Sequence, residues 1–137
     1  MQGLGLNYLA WGITLFATAI SLIFSEILKY PPCSLCWYQR VFMYSLAVVI
    51  PTGILIGDRK VSVYIVVLSL FGLVISGYHS LIYHNIIEEA LTVCTADLSC
   101  KTKQFELYGL SIPVMSFFGF VSIFFLGLKG SFNEKRN

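Results

Sequence analysis

Cys33 and Cys36 stand in Cys-x-x-Cys spacing, and Cys94 and Cys100 form a second pair with five residues between them; both pairs lie in short polar breaks between long apolar runs. A cysteine inside an apolar run behaves as a small hydrophobe, whereas one at a polar break is placed for thiol chemistry. When Cys-x-x-Cys opens a helix, its two sulfurs come within bonding reach, and the unpaired amides of the first turn stabilise thiolate. Arg40 follows Cys36 by four residues, one helical turn, and its permanent charge would stabilise a thiolate or a reduced oxygen. Two pairs on one side of a membrane would form a relay, one thiolate attacking the next disulfide. Plainer roles stand beside these: structural zinc or an inert disulfide for Cys33 and Cys36, a loop staple for Cys94 and Cys100, a headgroup anchor for Arg40. Zinc calls for four ligands, and the second pair has no histidine near it but His84, so no metal is expected.

Electrons leaving a cysteine pair need an acceptor. The chain has no Gly-x-Gly-x-x-Gly, no Cys-x-x-Cys-His and no iron–sulfur spacing. By elimination the acceptor is a diffusible molecule of the lipid phase, and a quinone fits. His79, an ionisable group inside an apolar run, is a candidate to give such an acceptor a hydrogen bond or proton, against the plainer role of a histidine satisfied by a backbone carbonyl or Ser76. Trp37 and Tyr38 read as an interfacial aromatic belt, and His84, at the membrane edge, has no role.

The elements that must position these groups follow from composition. Of 137 residues, 57% are hydrophobic and only 12% charged, which excludes an ordinary soluble domain. Charges delimit four uncharged stretches, 1–25, 41–57, 61–87 and 107–128. A helix needs about 20 residues to cross a hydrocarbon core of about 30 Å. Three stretches suffice alone; the second is extended by Trp37, Tyr38 and Arg40 on one flank and Arg59 and Lys60 on the other. The expected fold is an all-α membrane protein, one four-transmembrane-helix bundle over 1–137, with helices about 8–28, 41–57, 61–83 and 109–128. The first stretch is expected to stay as a helix and not to be cleaved as a signal peptide.

Within the spans, Ala17, Ser21 and Ser25 form a small-residue seam that would let a neighbouring helix approach, and Ser116 and Gly119 offer the same on the last helix. Pro31 and Pro32 stiffen the chain before Cys33, the second helix starts near them, and Pro51 is expected to kink it. Gly72, Ser76, His79 and Ser80 share one face, so His79 points into the bundle. The third loop mixes apolar and acidic residues, and part of it is expected to lie as an interfacial helix.

Four crossings put both termini on one side and both cysteine loops on the other. The terminal side carries five Lys and Arg against four on the cysteine side, a weak positive-inside bias that makes the termini cytoplasmic. Paired cysteines persist as disulfides outside a reducing cytosol, which agrees. A net charge of +2 calls for no nucleic-acid partner.

The octapeptide Cys33-Ser34-Leu35-Cys36-Trp37-Tyr38-Gln39-Arg40 closely resembles the C-x-x-C-W-Y-Q-R signature of the DsbB/BdbC disulfide bond formation proteins. Residues 104–113, Gln-Phe-Glu-Leu-Tyr-Gly-Leu-Ser-Ile-Pro, resemble the Q-[WF]-x-x-x-G-x-x-x-P segment that follows the family's last cysteine. The resemblance covers nearly the whole chain. It implies a quinone-dependent protein-disulfide oxidoreductase in a bacterial plasma membrane. Such an enzyme reoxidises a DsbA-like thioredoxin-fold partner, passes electrons to menaquinone or ubiquinone, and so supports disulfide formation in exported proteins. By motif position the partner thiolate would attack Cys94, Cys100 would attack Cys33, and Cys36 would deliver electrons to quinone held by Arg40, with His79 aligned to a family histidine near that site. The implied disulfides are Cys33–Cys36 and Cys94–Cys100. Five residues between Cys94 and Cys100 match the shorter BdbC form. The alternative from another class is a non-catalytic membrane scaffold stapled by two structural disulfides.

Overall fold

Long apolar runs with no soluble partner surface must hide their backbone amides inside helices, and the computed structural model shows that solution. It describes residues 2–27, 29, 33–84, 86, 106–107 and 110–136. Helix α1 spans Gln2–Leu22 and ends in a π-helical turn, Ile23–Ile27. Helix α2 spans Ser34–Ile56, α3 Val61–Tyr83 and α4 Ile112–Arg136. A two-residue ladder, β1 (Glu106–Leu107) with β2 (Leu110–Ser111), leads into α4. All four helices are long and apolar enough to cross a membrane. Cys94, Cys100 and the interfacial helix expected in the third loop lie outside the described residues.

The helices pack in a ring, α1 on α2, α2 on α3, α3 on α4 and α4 back on α1. Large apolar side chains face outward all round it: Phe16 is 69% exposed, Leu55 87%, Val74 63% and Phe125 58%. In water such a surface would aggregate, and in lipid it is the solvated face. Inside, Leu46, Ile50, Ile65, Phe120 and Ile123 are fully or nearly fully buried.

Because apolar burial gives no net drive between helices in lipid, close approach and polar links decide the packing. Gly72 of α3 supplies the approach, since a Cβ there would collide with the Phe120 ring of α4. Farther along, Gly130 of α4 lies against Ser62 and Asn7, and the Ser62 hydroxyl donates to Asn7 Oδ1 at 3.2 Å, tying α3 to α1. Trp11 Nε1 donates to the Ala47 carbonyl at 3.2 Å and ties α1 to α2.

The α2–α3 turn is set by its own residues. Gly57 adopts φ +70°, the left-handed cap that glycine enters without a Cβ penalty, and the Asp58 amide closes on the Gly53 carbonyl at 2.9 Å. Asp58 Oδ1 then accepts the Lys60 amide at 2.8 Å as α3 begins. Helix α2 starts at Ser34, ahead of the uncharged stretch, so Cys36, Trp37, Gln39 and Arg40 all ride on regular helix. Trp37 and Tyr38 are exposed there, as an aromatic belt requires.

Candidate functional site

The antiparallel ring gathers four helix ends into one place: the start of α2, the ends of α1 and α3, and the start of α4. Cys33 sits just before α2 in extended backbone, and its carbonyl accepts the Trp37 amide at 3.1 Å, closing the first turn. That turn brings Cys36 back over Cys33, with the two sulfurs 3.2 Å apart as free thiols.

The two sulfurs face different surroundings. Cys33 is buried with Leu35 and Ile82, and its sulfur lies 3.6 Å from His79 Nε2 on α3. Cys36 instead lies on the wall of a cavity of about 290 Å³ among α1, α2 and α4. The wall is mainly apolar, through residues such as Ile13, Ile20, Met43 and Phe120, with Cys36, Gln39, Arg40 and Ser116 as polar exceptions. Thr18 also lines it, and its buried hydroxyl has no hydrogen-bond partner among the described residues.

The small residues expected to bring helices together also line the cavity. Ala17, Ser21 and Ser25 on one side and Ser116 and Gly119 on the other all line the cavity. Gly119 has open space where a Cβ would stand. Small side chains on facing helices leave volume when neighbouring large residues hold the backbones apart, so the seam opens a chamber as well as touching α2 through Ser21.

Arg40 lines the chamber one turn below Cys36. Its Nε donates to Ser21 Oγ at 3.0 Å, and one Nη donates to the Ser21 carbonyl at 2.9 Å, where α1 gives way to its π-helical turn. The guanidinium carbon lies 5.6 Å from the centroid of the Trp37 ring, a cation–π contact. The other Nη has no hydrogen bond among the described residues, so Arg40 is clamped through two nitrogens with a third to spare.

His79 is 2% exposed and does not line the chamber; it touches Cys33. Its Nδ1 lies 3.1 Å from Gln39 Nε2, and the Ser116 hydroxyl lies 2.8 Å from both Gln39 Oε1 and the Pro113 carbonyl. When Ser116 donates to Oε1, the Gln39 amide donates to Nδ1, and the neutral imidazole turns an Nε2–H toward the Cys33 sulfur. The plainer role of a histidine satisfied by a carbonyl or by Ser76 does not describe it: the Ser76 hydroxyl donates to the Leu73 carbonyl.

Gln39, Ser116, Ser21 and Thr18 are site residues that spacing alone does not single out. Gln39 was legible only as a letter of the octapeptide.

The family model described as "Disulfide bond formation protein DsbB" matches residues 5–129. The chain belongs to the DsbB family. Among DsbB-family relatives, it is 39% identical over 130 residues to "Probable disulfide formation protein C 2" of Bacillus anthracis, covering 94% of this chain and 92% of that one. It is 36% identical over 126 residues to "SPbeta prophage-derived disulfide bond formation protein B" of Bacillus subtilis (strain 168), covering 90% and 84%. To "Disulfide bond formation protein C" of the same strain it is 33% identical over 130 residues, covering 93% and 94%. No solved structure is a match. Family membership and four membrane-spanning helices together make this a membrane protein of disulfide bond formation, of oxidoreductase type.

Proposed function

We propose that the chain is a quinone-dependent thiol oxidase that reoxidises a DsbA-like thioredoxin-fold protein outside the cytoplasm. The observation that carries the reading is the split environment of the Cys-x-x-Cys pair, with Cys33 against His79 and Cys36 on the wall of an apolar chamber. A dithiol placed so has one sulfur for exchange with protein thiols and one for exchange with a lipid-phase acceptor.

The chamber suits a quinone on two grounds: an apolar wall for a ring and tail, and a fixed guanidinium with a donor unused among the described residues. Bound there, a quinone supplies an acceptor for two electrons and two protons. Arg40 would hold it through its oxygens. Cys36 would lose its electrons to the chamber side as Cys33 closes onto it, releasing two thiol protons and leaving the disulfide. His79 positions the other half: its Nε2 hydrogen bond steadies negative charge on Cys33 when that sulfur is the thiolate that closes onto Cys36. Gln39 and Ser116 keep His79 in the tautomer that can do this.

In this reading the relay spends the disulfide that quinone renews: the partner's thiolate attacks Cys94, freed Cys100 attacks Cys33, and Cys36 leaves as thiolate. The cysteine loops and the partner are then on the extracytoplasmic side of a bacterial plasma membrane and both termini are cytoplasmic. The test is anaerobic mixing of the oxidised protein, a reduced thioredoxin-fold dithiol and menaquinone or ubiquinone, following quinol optically. Quinol is expected only with all three components. Intact disulfides with no quinol from either quinone would reject the oxidase and favour the stapled scaffold.

A further inference from the structure

The reduced pair is more than a dithiol, because a third donor stands with it. The Cys33 and Cys36 sulfurs and His79 Nε2 all lie within 4.8 Å of one another. The separations are 3.2 Å between the sulfurs and 3.6 Å from Cys33 Sγ to Nε2. A metal ion bonded to two sulfurs at about 2.3 Å and an imidazole nitrogen at about 2.0 Å in a plane needs its donors roughly 4 Å apart. The sulfurs must part by about 0.8 Å to reach that arrangement, a displacement within the range of side-chain rotation.

We propose that the reduced protein binds one Cu(I) ion at Cys33, Cys36 and His79, and that the bound ion holds the pair out of turnover. Two thiolates and an imidazole are a soft donor set. Their number selects among soft ions: Cu(I) is satisfied by three donors, whereas Zn(II) calls for four, and this group holds three among the described residues. Cys33 and His79 are both buried, which keeps water from completing a larger shell. Arg40, one turn from Cys36, offsets the negative charge of two thiolates on a monovalent ion.

The surrounding hydrogen bonds already fit ligation. A histidine that binds metal through Nε2 must carry its proton on Nδ1 and donate it to an acceptor. Gln39 meets that need by turning its amide so that Oε1 faces Nδ1 and its NH2 faces Ser116. Ser116 can accept that turn because its hydroxyl has a second acceptor, the Pro113 carbonyl at 2.8 Å. One amide flip therefore converts the network from thiol partner to metal shell.

Binding releases the two thiol protons and changes no oxidation state: Cu(I) remains Cu(I) and both sulfurs remain thiolate. With both sulfurs ligated, Cys33 and Cys36 cannot close a disulfide, so metal and disulfide exclude each other. The binding half stands on geometry alone, while the inhibition half rests on the oxidase reading.

The test uses full-length Cys94→Ser/Cys100→Ser protein, reduced, freed of reductant and kept anaerobic, with Cu(I) supplied from a chromophoric Cu(I) chelator. One Cu(I) per chain is expected, with two sulfurs and one nitrogen by X-ray absorption, and none on the disulfide form. His79→Ala should lose the nitrogen signal and at least tenfold in affinity. Gln39→Leu, which keeps all three ligands, should weaken binding by roughly tenfold. Equal uptake by the disulfide form, an unchanged spectrum and affinity in His79→Ala, or Zn(II) retained where Cu(I) is not would each overturn the proposal. With the unmutated protein, Cu(I) should stop quinol formation and the chelator restore it; stoichiometric Cu(I) with undiminished turnover would overturn the inhibition half. No quinone enters the binding assay, so its failure leaves the oxidase reading untouched.

Discussion

Replacing Ser21 with alanine should loosen Arg40 without touching the cysteines. In the structure Arg40 is held by two charge-assisted hydrogen bonds to one residue, Nε to the Ser21 hydroxyl at 3.0 Å and an Nη to its carbonyl at 2.9 Å. Ser21→Ala removes the first and leaves the second. A hydrogen bond to a charged group contributes about 1.5–3 kcal/mol, and water in the chamber would recover part of it, so the lower end applies. About 1.5 kcal/mol is roughly tenfold in affinity. Arg40→Lys should cost more, roughly 10- to 100-fold, because one ammonium cannot make both bonds and also loses the planar face against Trp37. Both effects should fall on the KM for quinone more than on kcat, since the clamp positions a binding group. The assay is a quinone saturation curve in detergent with excess reduced dithiol. In the double variant the Ser21→Ala penalty should nearly vanish, leaving KM within about twofold of Arg40→Lys alone. Fully multiplicative penalties would show that Ser21 does not act through Arg40 and would refute the clamp.

Four further outcomes follow from the same geometry. Gly119→Leu puts a side chain into open space within the chamber, so it should keep the fold and abolish quinone reduction, read by unfolding temperature and quinol formation. Gly72→Ala should do the reverse, destabilising by about 1–3 kcal/mol through its collision with Phe120, and a smaller residue at Phe120 should recover part of that loss in a thermal melt. Thr18→Val removes a buried hydroxyl with no partner among the described residues, so the unfolding temperature should hold or rise in a thermal melt. Gln39→Leu leaves His79 Nδ1 buried and unpaired, which should destabilise by about 1–3 kcal/mol and slow dithiol-driven turnover with little change in quinone KM.

The fold was legible because membrane segments are written in the crudest code a sequence has, apolar length bounded by charge. Asp58, Arg59 and Lys60 marked the α2–α3 turn, and Gly57 at its left-handed cap is the residue that turn demands. The Cys-x-x-Cys pair and Arg40 were legible from local spacing, since i to i+3 and i to i+4 fix neighbours on one helix. The links between helices were not. Gln39 meets His79 across 40 residues and Ser116 across 77, and no periodicity encodes which polar side chains of different helices will meet. His79 shows the same limit: its inward face was readable, but its placement on Cys33 and off the chamber wall depends on how α2 and α3 lie against each other. The small-residue seam was readable as small, yet whether small residues admit a helix or leave a chamber is decided by their large neighbours.

An oxidase of this kind requires that Cys33 and Cys36, with no help from the rest of the relay, exchange electrons with a quinone in the chamber. Cys94→Ser/Cys100→Ser protein retains only those two thiols. Reduced, freed of reductant and mixed anaerobically with one equivalent of quinone and no partner protein, it should lose both free thiols to one disulfide and yield one quinol per chain. Both thiols surviving beside unreduced quinone would contradict the account.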